Sequence, residues 1–139
     1  MSKLPLLIAL VLALFATLPA HAEDEKDPID IAMDAAMERD PSTAGMVQAT
    51  AAAQKKWEKE LARSLARLEE VMEPEEWEAL QASQKAWRAF RQQEVKAQGE
   101  IYSRMDGSMW VPVSASDAME LVRARALQLR QYAETISER

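Results

Sequence analysis

The chain has 139 residues with 17 basic and 23 acidic side chains, a single histidine, no cysteine and a formal net charge of −6. No disulfide can form, and with the sole histidine, His21, in an N-terminal apolar segment, the rest of the chain has no Cys-His pair, no Ser-His-Asp triad and no zinc site. An acidic chain also lacks the basic patches on which counterion release depends, so nucleic acid is not an expected partner.

Residues 1–22 read as a secretory signal. Lys3 supplies positive charge, Leu4 to Leu18 is almost unbroken apolar sequence, and Ala20-His21-Ala22 is a small-x-small cleavage site. The apolar run is shorter than the roughly 20 residues that span a bilayer. The expectation is a periplasmic or secreted protein with no membrane association after cleavage. The cleaved chain has 117 residues, 22 fewer than the full 139, and loss of Lys3 takes its net charge from −6 to about −7. That length suits one domain.

Few glycines and long stretches of Ala, Glu, Gln, Arg and Leu predict helix almost throughout, and no run alternates as a strand does. Residues 23–41 read as a charged lead-in and a short helix over about Ile29 to Glu38. Asp27-Pro28 provides the N-cap and a first-turn proline, and Asp40-Pro41 the stop. Residues 42–139 read as the bundle domain. Ser42 or Thr43 caps a helix to about Met72, with the stripe Met46, Thr50, Ala53, Trp57, Leu61, Leu65, Leu68 and Met72. Glu73-Pro74 restarts the chain as a third helix reaching about Met105, expected to bury Trp77, Leu80, Trp87, Phe90, Val95, Ile101 and Tyr102. After the turn signal Asp106-Gly107-Ser108, Met109 to Val113 reads as irregular because of Pro112. A fourth helix is expected over about Asp117 to Ser137, with the stripe Ala118, Leu121, Val122, Arg125, Leu129, Tyr132 and Ile136. The predicted class is all-α: an elongated antiparallel bundle of three long helices plus a short N-terminal helix, the second and third helices each about 45 Å at 1.5 Å per residue.

Gln84, Trp87, Phe90, Arg91 and Glu94 fall on one helical stripe that is otherwise apolar. Charges on such a stripe must pair or stay wet. Folding the helices back on one another brings Trp57 near Phe90 and Arg91, where a guanidinium could lie over the indole, and puts Arg125 level with Glu94 to Gln98. The expectation is a structural polar layer of Gln84, Arg91, Glu94 and Arg125, in which Glu94 pairs with Arg91 or Arg125 and sets helix register.

Gln84-Lys85-Ala86-Trp87, then Phe90-Arg91 and Glu94, resembles the signature of the LprI-type lysozyme-inhibitor family, a group of small exported helical domains. The resemblance covers about Thr43 to Gln131 and extends to Met46, Leu61, Gly107-Ser108, Leu121, Arg125 and Leu129. Where the family usually carries cysteines this chain has Thr50, Val95 and Asp117, and Val122 replaces a usual late threonine, so it resembles a cysteine-free branch. What the resemblance implies is a binding protein that inhibits a peptidoglycan-cleaving enzyme.

Two surfaces are candidates for partner contact. Glu69, Glu70, Glu73, Glu75, Glu76 and Glu78 crowd the turn between the second and third helices with no basic residue between them, which makes either a solvated hairpin tip favoured by the helix dipole or an acidic surface suited to steering a cationic lysozyme or another cationic envelope protein. Met109 and Trp110, with Val111, are large apolar residues in a predicted loop, which either folds over the bundle end as a lid or, if exposed, serves as a contact anchor. An enzymatic reading is left with carboxylates, Lys, Tyr and Ser. Two acids such as Glu94 and Asp117 would need a concave face holding them about 5–9.5 Å apart. A tight bundle offers none, so the chain is read as a cofactor-free binding protein rather than an enzyme. The alternative is an envelope interaction or scaffold module of another partner, with no inhibitory activity.

Overall fold

The computed structural model describes residues 26–139; the expected signal peptide and residues 23–25 of the charged lead-in lie outside the described residues. Four helices account for most of that span: α1 Pro28–Arg39, α2 Thr43–Val71, α3 Pro74–Tyr102 and α4 Trp110–Ser137, with no strand among the described residues. The chain is all-α.

Local chemistry sets the starts of α1, α2 and α3. The Asp27 carboxylate accepts the Ile29 N–H at 2.9 Å and Pro28 occupies the first turn of α1, where its missing N–H costs nothing. Ser42 Oγ accepts the Gly45 N–H at 3.0 Å to open α2. Gly45 is required by space: a Cβ there would stand 2.3 Å from the Asp40 carbonyl oxygen, where the chain leaving α1 crosses the first turn of α2. At Glu73-Pro74 a capping box closes the start of α3, with the Glu73 N–H donating to Glu76 Oε2 at 3.2 Å.

α4 begins at Trp110, seven residues before the expected start at Asp117, and α3 ends at Tyr102 rather than Met105. Pro112 does not break α4 because it is the third helical residue, and the first four N–H groups of a helix have no intrahelical partner. The turn between α3 and α4 is therefore the short stretch 103–109, in which Gly107 takes a positive φ of 99°.

The core is the seam between α2 and α4. Trp57 packs with Met119, Val122 and Ala126, and Leu68 with Leu80, Leu129 and Ala133. Residue numbers rise together along this seam, so α2 and α4 run parallel, joined by the return path of α3. Trp57, Leu68, Val122, Ala126 and Leu129 are all 0% exposed, and each of the larger ones contributes about 1.5–3 kcal/mol by burial. Ile29 and Met33 of α1 cover the Trp57 end.

α3 differs from its expected role as a buried helix. Only Leu80 and Gln84 of its residues are buried. Trp77, Trp87 and Tyr102 are half-buried, while Phe90, Val95 and Ile101 are 53%, 39% and 56% exposed. The periodicity of α3 marks a face correctly oriented toward its neighbours, but α3 stands too far from α2 for that face to be sealed.

Candidate functional site

The polar layer forms around Arg125, with partners other than those expected. Arg125 Nε donates to Gln84 Oε1 at 2.9 Å, its Nη2 to Ser83 Oγ at 3.2 Å, and its Nη1 to Gln128 Oε1. All three acceptors are neutral. Burial lowers the pKa of this guanidinium below its ordinary value by desolvation of the charged form. Arg91 lies elsewhere: its Nη2 donates to Glu58 at 3.1 Å and its guanidinium sits 5.9 Å from the Trp87 ring. Glu94 is half-buried and makes no ion pair among the described residues, so neither expected pairing of Glu94 occurs. The shorter α3–α4 turn explains the shift, since it moves Arg125 down α3 from the level of Glu94 to that of Gln84.

A second polar network went unforeseen. The Trp57 ring is met by the guanidiniums of Arg123 and Arg130, each 5.6 Å from its centroid, not by Arg91. Arg123 pairs with the buried Asp30 at 2.8 Å, and Arg130 with Asp27 at 2.8 Å and Glu60 at 3.3 Å. Hydrogen bonds to Asp30 and Asp27 respectively raise the two arginine pKa values. These contacts clamp α1 onto the Trp57 end of the core. The sequence signal was the two-turn spacing of Arg123 and Arg130 on one face of α4, opposite acids at the start of α1.

At the α2–α3 tip, Glu69, Glu70, Glu73, Glu75 and Glu78 are exposed. Glu76 is occupied at home, accepting from Arg139 at 2.7 Å as well as from the Glu73 N–H, and these bonds lower its pKa. At the opposite end Met109 and Val111 are 60% and 56% exposed. Trp110 between them is half-buried, stacked on Tyr102 at 5.7 Å, with its indole N–H donating to the Asp106 carbonyl at 3.1 Å. The two ends are separated by the 29 residues of α3, about 43 Å at 1.5 Å per residue.

Between the ends, α3 and α4 enclose an open groove of about 490 Å³, lined by Trp87, Phe90, Gln98, Leu121, Ala124 and Arg125 among others. At its upper rim the Tyr102 hydroxyl donates to Asp117, which raises the tyrosine pKa. Among the described residues no helix is long and apolar enough to cross a membrane.

A small all-helical bundle whose polar layer is built on Gln84 and Arg125 matches the family model described as lysozyme inhibitor LprI, over residues 34–129. The chain belongs to the LprI family. It is also similar to the crystal structure of an uncharacterized protein from Burkholderia thailandensis, with 32% identity and a TM-score of 0.76, covering 81% of this chain and 57% of that one. This chain thus spans a little over half the length of that protein. A comparison with curated proteins gives no match.

Proposed function

We propose that this protein is exported and inhibits a cationic peptidoglycan-cleaving enzyme of the lysozyme type by occlusion, without catalysis of its own. Membership of an inhibitor family over residues 34–129 is the observation that carries this reading. The acidic tip supports it. Met72 and Glu73 alone join α2 to α3, so the tip is narrow enough to enter a cleft, and its exposed carboxylates favour a basic surface. Residues Glu69, Glu70, Glu73 and Glu75 are the proposed contacts. Glu76 contributes less, its charge being matched by Arg139. Met109 and Val111, at the far end, are a proposed apolar contact for a second partner region, with the half-buried Trp110 supporting them from behind rather than standing free as an anchor.

The test is an inhibition assay against a basic lysozyme at low ionic strength. Inhibition that weakens as salt is added, and that disappears in Glu70→Lys plus Glu75→Lys, is the expected result. Undiminished lysozyme activity at a large molar excess of folded protein would refute the proposal.

A further inference from the structure

The α3–α4 groove contains two polar groups that the fold leaves unexplained. Arg125 is 7% exposed, yet its partners are the neutral oxygens of Gln84, Gln128 and Ser83. A guanidinium has five N–H donors, and those contacts engage three. Buried charges are ordinarily matched by an opposite charge, because desolvation is otherwise uncompensated. In the same groove Gln98 Oε1 is buried and accepts no hydrogen bond. Donors without an acceptor and an acceptor without a donor thus line one opening. Its volume of about 490 Å³ lies within the range of small-molecule sites, about 300–1,000 Å³. Trp87, Phe90 and Leu121 give it apolar walls.

We propose that this groove binds a short peptide by its free C-terminal carboxylate, which pairs with Arg125 while a peptide N–H donates to Gln98. A bidentate carboxylate is the natural partner of a guanidinium with spare N–H groups. A peptide fits better than a bare anion because Asp117 and Glu120 also line the groove. Asp117 accepts the Tyr102 hydroxyl and Glu120 pairs with Arg123, so neither offsets Arg125. Asp117 is about 12 Å from Arg125 along α4 at 1.5 Å per residue. Three or four extended residues span that distance at about 3.3–3.6 Å each, leaving the ammonium end beside Asp117. The site lies midway along the bundle, away from the acidic tip, and is independent of lysozyme inhibition.

Calorimetric titration of the purified protein with the tripeptide Ala-Ala-Phe and with its C-terminal amide tests the site. The acid is expected to bind with a millimolar or lower Kd, and the amide at least about tenfold more weakly. Arg125→Met is expected to abolish binding. Because that change also removes a core contact, Ala124→Trp is the second variant: position 124 is exposed, and an indole there fills the groove with Arg125 intact. It is expected to lose binding with its circular dichroism unchanged. Equal binding of acid and amide, no binding of the acid at about 20 mM, or normal binding by a folded Ala124→Trp protein would each overturn the proposal.

Discussion

α4 packs against α2 on one face and α3 on another, and the two seams are unlike. Toward α2 it offers Met119, Val122, Ala126, Leu129 and Ala133, met by Ala49, Ala53, Trp57 and Leu68, all buried. The four alanines let the backbones close in around Trp57, Leu68, Met119 and Leu129, so that seam is dry. Toward α3 it offers Leu121 and Arg125, and α3 replies with Gln84, Trp87 and Phe90, whose bulk and polarity leave a gap. The remainder is an open groove. One helix thus supplies stability on one side and accessible polar chemistry on the other.

The largest test of this contrast is truncation in the dry seam. Trp57→Ala should cost about 3–5 kcal/mol and Leu129→Ala about 2–5 kcal/mol, read by chemical denaturation, since both are 0% exposed. The tryptophan change also strips Arg123 and Arg130 of the ring between them. Losses below 1 kcal/mol would mean that α2 and α4 are not fused as described.

The next test addresses the polar seam. Arg125→Met should destabilise by about 1–3 kcal/mol, chiefly by stranding Gln84, which is 4% exposed. Arg125→Met combined with Gln84→Leu should recover at least half of that loss, because an apolar pair leaves no orphan. Strict additivity in the double-mutant cycle would separate the two side chains energetically despite their 2.9 Å contact.

A smaller, pH-dependent effect comes from the clamp that holds α1. Burial of Asp27 opposes its ionisation, but the Arg130 hydrogen bond and the Ile29 N–H outweigh it, so its pKa lies below the ordinary value. Its ionised form therefore stabilises the fold fully above the unfolded pKa, near 3.9, and that contribution is lost as acid titrates the folded carboxylate. Asp27→Asn keeps a capping oxygen and removes the charge. Thermal melts should show a Tm deficit for the variant near neutral pH that narrows below about pH 4 and closes in stronger acid. A deficit constant with pH would assign the effect to capping alone.

How far these features were legible follows from how local they are. Asp27-Pro28, Ser42 and Glu73-Pro74 mark helix starts because a cap is decided within four residues. The Met46-to-Met72 stripe of α2 identified its core face for the same reason. Pro112 misled because a breaker at mid-helix is harmless in a first turn. The partners of Arg125 and Trp57 depend on the length of the α3–α4 turn and on where α1 lies along α4, and no pattern within one helix encodes either. Periodicity shows which way Phe90 points, but not how far away its neighbour stands.

Phe90 is consequently the smallest and most discriminating substitution. It is 53% exposed, and surface truncations of that kind fall within about 0.5 kcal/mol. Phe90→Ala should therefore leave the denaturation midpoint almost unchanged, although Phe90 lies on the same stripe as the buried Gln84. Trp57→Ala measured beside it supplies the scale. If Phe90→Ala instead cost 2 kcal/mol or more, the ring would have to be buried in solution. α3 would then close onto α4, the groove would fill, and the two faces of α4 would no longer differ in kind.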